Sequence, residues 1–366
     1  MSSLGDAQEF EREMQRKTFC NPYLLDRVAI CQRNLTEFPF LPDNLVTEML
    51  PRLRLIPETG EMNADTTAPE LFTERLMQVK LDRFWRECGR KQNSPYDPTQ
   101  AQQRYEQFCS EFLPTLPPAL SLTPDRKWDS QLPKLPMQRQ LLYISIFDSV
   151  AWNFRPLLLL NTDQIAKLPQ YKRVLLQSQK QKLAQAALEV LTAVSNLHSM
   201  FGGGHTRFAA IIFNSFEAPV LLLIRCSQSD FPFDQAEQNL DIVGLQVPKL
   251  TRCKTIQAVE KALTRLEKLS TVSDMAASGA RVVSKLLAKV NALFELATPD
   301  SSNSSSLLPG SFPDMLGVGG DIEHGSRGFS EGLDPHLVAE LFETVGTGND
   351  NTGLQFPDWD VPTDNS

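Results

Sequence analysis

Apolar residues recur every three to four positions along residues 1 to 298, and this period predicts helices rather than strands. Sustained alternation with a period of two, which marks half-buried strands, is hard to find. The segments with the clearest helical period are 71 to 88, 99 to 112, 137 to 152, 177 to 201, 207 to 225, 256 to 269 and 272 to 296. The pattern therefore predicts an all-α body, a multi-helix stacked bundle of mostly antiparallel helices.

Two of these helices carry detailed expectations. One apolar stripe of the last helix runs through Met275, Gly279, Val282, Leu286, Val290, Leu293 and Phe294. Gly202, Gly203 and Gly204 follow the long alanine-rich helix, and glycine is favoured where a helix ends in a left-handed residue. These glycines do not form a phosphate-binding motif, because a helix precedes them and no lysine follows. We interpret them as a helix end.

The most apolar stretch of the chain covers residues 208 to 224 and is interrupted by Asn214 and Glu217. It is short for a bilayer crossing of about 20 residues. We expect a buried helix there and no contact with a membrane. The first 17 residues are charged throughout, which does not fit a secretory signal.

The helical period ends at Thr298. Residues 299 to 333 are rich in Ser, Gly, Pro and Asn and predict a solvated linker between the helical domain of residues 1 to 298 and a tail. The tail, residues 334 to 366, mixes acidic and apolar residues and is predicted to be disordered and activation-like. Within it, Asp334 and Pro335 have the sequence of a helix start.

The apolar residues of the tail are the candidate site of this chain. Acidic neighbours keep such groups exposed in a disordered segment, from which they can dock into the groove of a partner. The expected partner-binding residues are Leu337, Leu341, Phe342, Phe356 and Trp359. The alternative is a tail that docks back onto its own body.

Charge is distributed unevenly along the chain. The 366 residues include 36 basic and 44 acidic ones, a formal net charge of −8. Residues 299 to 366 contain twelve acidic residues and one basic residue, Arg327, so the first 298 residues are close to neutral. That balance does not support a body that grips nucleic acid through its phosphates. A hydrophobic content of 41% excludes a wholly disordered chain.

The residues that usually carry catalysis or bind metals are not grouped in the sequence. The six cysteines include no pair with the spacing of two to four residues that a compact zinc site needs, so reduced, mostly buried thiols are expected. The four histidines form no metal-binding pair, and there is no Gly-x-Ser-x-Gly motif. We therefore expect no enzyme activity and no cofactor or metal in this chain.

Several short motifs follow one another in a fixed order. They are Glu11-Arg12, Arg16-Lys17-Thr18-Phe19, Tyr23-Leu24-Leu25-Asp26-Arg27, Arg33-Asn34-Leu35-Thr36-Glu37-Phe38-Pro39, Leu50-Pro51, Phe112-Leu113-Pro114, Arg139-Gln140-Leu141-Leu142-Tyr143 and Arg155-Pro156-Leu157-Leu158. In this order they resemble the regulatory middle region of fungal binuclear zinc-cluster transcription factors. The resemblance spans most of residues 9 to 297. Cys20 is a departure, because the family has Trp at that position.

The resemblance implies a division of labour. In such factors a six-cysteine zinc cluster binds DNA, the helical region regulates it, and the C-terminal tail often activates transcription. The matching region begins almost at Met1, so we expect zinc only in an N-terminal cluster that this sequence lacks. DNA would then be reached indirectly or through that missing domain.

The leading interpretation is therefore a nuclear transcriptional regulator, the C-terminal part of such a factor, which recruits the transcription machinery or a coactivator through its tail. The alternative from another class is a helical scaffold or ligand-sensing module without direct DNA binding. An enzyme would require a polar cavity with strongly perturbed acids. The sequence also leaves a homodimer open.

Overall fold

The computed structural model describes residues 11–18, 20, 69–70, 72–88, 96–206, 208–228, 230–231, 239–248 and 250–297. Residues 11–18 are helical. The main helices are α1 (Thr73–Glu87), α2 (Pro98–Gln107), α3 (Leu135–Phe154), α4 (Thr162–Ala166), α5 (Gln170–Met200), α6 (Ala209–Ser227), α7 (Arg252–Leu269) and α8 (Asp274–Ala297). A π-helical turn, Phe108–Phe112, continues α2, and a 3-10 turn, Arg155–Leu159, follows α3. The all-α prediction is confirmed.

Every helix that was predicted from the apolar period is present. The largest difference in bounds is at α5, which begins at Gln170 rather than at residue 177. Its first turns expose Tyr171 (59%) and Val174 (65%), so they lack the apolar period of a core-facing helix. Pro169 stands directly before the first helical residue, a place where its missing N–H is not needed.

The helices pack around a single core. Helix α5 packs against α3 and α6, while α6 also packs against α7 and α8. In the part of the chain that the structure describes, α6 is the one helix long and apolar enough to cross a membrane, with a mean hydropathy of 1.6. However, 72% of that apolar window is buried inside the structure, as predicted for residues 208 to 224. The protein core thus accounts for the apolar character of α6.

The glycines after α5 end the helix as predicted. Gly202 and Gly203 adopt φ values of 78° and 62°. The N–H of Gly203 donates to the carbonyl of His198 at 2.8 Å, and the N–H of Gly202 donates to that of Ser199 at 2.9 Å. This pair of bonds is a Schellman motif, which satisfies carbonyls at the end of the helix.

The predicted stripe on α8 is only partly correct. Met275 and Leu293 lie at one edge of the helix and are 48% and 37% exposed. The buried face is formed mainly by small and branched residues, namely Ala276, Ala280, Val283, Leu286, Leu287 and Val290. Small residues let the helices approach, and a Cβ on Gly279 would lie 3.2 Å from the ring of Phe216 on α6. The sequence pattern emphasised large side chains and so placed the centre of the core face wrongly.

One β-hairpin was not predicted. Strand β1 (Asn239–Ile242) pairs antiparallel with β2 (Leu245–Pro248). The turn consists of Val243 and Gly244 with φ values of 49° and 80°, the signs of a type I′ turn. A β-branched residue rarely adopts positive φ. The hydroxyl of Tyr105 accepts the N–H of Val243 at 2.8 Å, and this bond helps to fix the turn.

Candidate functional site

A cleft of about 420 Å³ lies between α3 and α5 and is closed on one side by the segment that precedes α3. Its lining residues are Leu122, Pro124, Arg126, Asp129, Pro136, Arg139, Gln140, Tyr143, Phe147, Glu189, Thr192, Ala193, Asn196 and Met200. The lining mixes apolar and hydrogen-bonding groups, as small-molecule sites do. It is therefore the candidate site among the described residues.

Arg139 fixes the wall of the cleft. This side chain lies on α3 and is 3% exposed. Its Nε donates to the carbonyl of Ala119 at 2.6 Å, and one Nη donates to the carbonyl of Asp125 at 3.0 Å. The other Nη lies 2.7 Å from Oδ1 of Asp129. With two hydrogen bonds and one ion pair, Arg139 holds the segment before α3 in place and is not available to a ligand.

Two aromatic residues hold the segment that precedes α3 against the core. The hydroxyl of Tyr143 on α3 donates to the carbonyl of Ser121 at 2.5 Å, and burial raises the pKa of this tyrosine. Trp128 is buried at 8% exposure, with the ammonium of Lys127 5.2 Å from its ring centroid. The wall is therefore a preformed part of the core rather than a loose loop.

The opposite wall belongs to α5. Burial raises the pKa of Glu189, and the amide of Gln185 one turn earlier donates to its Oε1 at 2.8 Å. The amide of Asn196 donates to Oε1 of Gln140 at 3.3 Å and so joins α5 to α3. Of these two contacts, only the bond from Asn196 to Gln140 joins the two helices on either side of the cleft.

The residues that line the cleft are suited to binding a small molecule. Arg126 is exposed and forms no ion pair with another described residue, whereas Asp129 is already paired with Arg139. Phe147 and Ala193 provide apolar surface next to these polar groups. A small amphipathic molecule with an acceptor group near Arg126 would match this lining.

A second polar cluster lies between α3 and α6. Arg155, directly after α3, forms an ion pair with Glu217 of α6. Asp148 of α3 lies close to both, and burial, with the negative charge of Glu217, raises its pKa to about 7. The Arg155-Pro156 motif therefore has a structural role, since it ends α3 and links that helix to α6.

The residues predicted to bind a partner lie outside the described residues. This applies to Leu337, Leu341, Phe342, Phe356 and Trp359, to the linker of residues 299 to 333 and to the Asp26-Arg27 motif. All of these stay predictions. Sequence reasoning did not select the cleft residues, although Arg139 and Tyr143 belong to a motif that it named. The sequence signal that could have pointed to the cleft is Arg139, a charged residue on the apolar face of α3.

The described cysteines are free thiols. Cys20 and Cys226 are buried, Cys88 and Cys109 are partly buried, and Cys253 is exposed. Burial raises the pKa of the Cys226 thiol to about 11, which disfavours the nucleophilic thiolate. Among the described residues, no group of three or more His, Cys, Asp or Glu side chains could hold a metal ion.

Two fungal proteins resemble this chain over much of its length. It is 50% identical to "Transcription factor xilB" of Penicillium rubens over 345 residues, which are 93% of this chain and 51% of that protein. It is 36% identical to "Probable transcription factor sol4" of Alternaria solani over 298 residues, 78% of this chain and 51% of that protein. The chain thus spans about half the length of these relatives.

No family profile matches the chain, and no solved structure matches it. The two relatives support the predicted resemblance to fungal transcription factors. The zinc cluster and the regulatory middle region stay predictions. At the level that these comparisons reach, the chain is homologous to fungal proteins that are named as transcription factors.

Proposed function

We propose that this chain is the regulatory and activating portion of a fungal zinc-cluster-type transcription factor that acts in the nucleus. In this proposal it is not an enzyme. The helical body regulates, and the acidic tail recruits a coactivator or the transcription machinery. DNA is bound by a zinc cluster outside this sequence or by a partner protein.

The observation that carries this proposal is the 50% identity with a named transcription factor over 93% of this chain. The composition of the tail supports its activating part. Residues 334 to 366 contain seven acidic residues and no lysine or arginine, interleaved with Leu337, Leu341, Phe342, Phe356 and Trp359. Such segments can fold on binding to a partner.

A reporter assay tests the activating role of the tail. The full chain is fused to a foreign DNA-binding domain and compared with a fusion that ends at residue 298. Only the fusion with the tail should activate the reporter. The double change Phe342→Ala and Trp359→Ala should reduce activation about tenfold, because it removes two of the three aromatic anchors.

The matched control replaces two phenylalanines of the predicted linker, Phe312→Ala and Phe329→Ala. It removes similar apolar surface and should leave activation unchanged. Equal loss in both variants would show that activation does not depend on the predicted partner-binding residues. Activation by the truncated fusion would assign it to the body instead.

The cleft favours a second candidate function, a ligand-sensing helical module without direct DNA binding. Its support is the preformed pocket of about 420 Å³ between α3 and α5, with Arg126 at its edge. Cell fractionation and promoter occupancy distinguish the two functions. A protein confined to the cytoplasm and absent from promoters would favour the sensing module over the transcriptional regulator.

A further inference from the structure

A row of exposed residues runs along the solvent face of α8. It consists of Arg281, Lys285, Lys289 and Leu293, which we call the basic ridge. Residues four apart on a helix are neighbours on its surface, so the four side chains form one continuous line about 18 Å long. The three cations are exposed, and Leu293 is 37% exposed. Positive charge and an exposed apolar end thus lie together.

The basic ridge has no carboxylate partner among the described residues. The guanidinium of Arg281 donates to the hydroxyl of Ser278 at 3.0 Å, and neither lysine forms an ion pair with a described group. The acidic residues of the last two helices are Asp274 in the first turn of α8, Glu295 two residues beyond Leu293, and Glu260 and Glu267 on α7. Asp274 lies about two turns before Arg281, too far for a direct pair.

The wider surroundings of the basic ridge are also positive. Residues 252 to 297, which include α7 and α8, contain eight basic and four acidic residues, a net charge of +4. The first 298 residues as a whole have a net charge of only +3. The excess positive charge of the body is therefore concentrated on the last two helices.

The segment that fits this surface follows it in the same chain. We propose that the basic ridge binds the acidic, apolar segment of residues 334 to 366. That segment has a net charge of −7 and carries aromatic residues next to acids, as in Phe356-Pro357-Asp358-Trp359-Asp360. Its carboxylates pair with the three cations, and one of its apolar side chains covers Leu293.

The length of the connection permits this contact. Leu293 lies about 6 Å and Arg281 about 24 Å along the helix axis from Ala297. A flexible chain as long as residues 299 to 333 has a root-mean-square span of about 33 Å. The effective concentration of the tail at the ridge is therefore in the millimolar range. At that concentration, weak and salt-sensitive ion pairs are enough to hold the tail on the ridge.

This contact goes beyond the proposed function, because it gives the same tail a second, intramolecular partner. A tail held on α8 is less available to a coactivator, so the body and the coactivator compete for it. The ridge would set a threshold for recruitment. The contact can be measured without transcription, so its failure and that of the proposed function are distinguishable.

Zero-length carbodiimide cross-linking of the full chain tests the contact, with peptide mass spectrometry as the readout. We expect cross-links from Lys285 and Lys289 to the acids of residues 334 to 366. The double change Arg281→Gln and Leu293→Ala keeps both lysines and should lower the cross-link yield about threefold or more. Raising salt to about 0.5 M should have a similar effect on the unchanged chain.

The matched control is Arg173→Gln with Val174→Ala on α5, which also removes one exposed cation and one exposed apolar side chain. It should leave the yield unchanged. Equal mixtures of unlabelled and ¹⁵N-labelled chains separate contacts within one chain from contacts between two. Cross-links of mixed isotope content would assign the ridge to a second copy and overturn the proposal. So would a yield that neither salt nor the ridge variant changes.

Discussion

Asp148, an acidic residue in the largely apolar helix α3, makes the stability of this protein depend on pH. Asp148 and Glu217 lie in apolar stretches of α3 and α6, and Arg155 pairs with Glu217. Burial and the charge of Glu217 raise the pKa of Asp148 from 3.8 to about 7. The folded protein therefore favours the neutral form of Asp148, whereas the unfolded chain ionises it at lower pH.

The raised pKa of Asp148 makes the folded protein less stable at high pH than at low pH. The contribution of Asp148 to stability is complete below its unfolded pKa and is lost as pH rises through about 7. Between pH 5 and pH 8 the unchanged chain should therefore lose about 1–2 kcal/mol more unfolding free energy than Asp148→Asn, because asparagine does not ionise. Urea unfolding at both pH values measures it. Glu260→Gln, an exposed carboxyl on α7, is the control and should not alter the pH dependence.

Tyr105 supports the strained turn of the hairpin. Its hydroxyl accepts the N–H of Val243, a buried β-branched residue at a φ of 49°. Tyr105→Phe leaves that N–H without its acceptor and should cost about 1–2 kcal/mol of unfolding free energy. Tyr171→Phe removes an exposed hydroxyl and should change stability by less than about 0.5 kcal/mol. Equal effects would mean that the hydroxyl of Tyr105 does not stabilise the turn.

At the scale of elements, the end of α5 is fixed by its backbone conformation. The Schellman motif after α5 needs a left-handed residue directly after the helix end, and Gly202 provides it with a φ of 78°. The segment that follows is tied to the end of α7, because Nδ1 of His205 lies 3.0 Å from the carbonyl of Lys268. The end of α5 therefore also sets where α7 can lie.

Gly202→Ala tests the backbone contribution alone. A Cβ at Gly202 would meet no atom within 4 Å, so the cost comes only from the positive φ. We expect a loss of about 1 kcal/mol in thermal or urea unfolding. Gly204→Ala is a matched control, since its Cβ is also free of contacts and its φ is not positive. If both changes cost the same, the left-handed conformation does not determine the end of the helix.

At the scale of the whole molecule, the sequence predicted what depends on local periodicity. The helices α1 to α3 and α5 to α8 were recognisable because each carries an apolar face over at least two turns, whereas the five-residue helix α4 was missed. The hairpin was missed because each of its strands has four residues. The cleft was missed because Arg139 depends on Ala119, 20 residues away. The polar cluster between α3 and α6 was missed because its pair of Arg155 and Glu217 spans 62 residues. Such contacts arise only when the helices assemble.

The packing of the helices predicts which helix unfolds locally at the lowest free energy. Helix α6 lies at its centre and packs against α5, α7 and α8. The main described neighbours of α8 are α6 and α7, and its solvent face carries the basic ridge. Because local opening costs least where few apolar contacts are lost, α8 should open at a lower free energy than α6.

Hydrogen exchange with mass spectrometry checks this order. Peptides from residues 281 to 293 should exchange about tenfold faster or more than peptides from residues 211 to 226. The exchange is measured in about 0.5 M salt, because a tail bound to the ridge would be released there and would not protect α8. Peptides of α4, which is short and mostly exposed, serve as the fast control. Equal protection of α6 and α8 at high salt would contradict this order, since it would show that the two helices unfold only together.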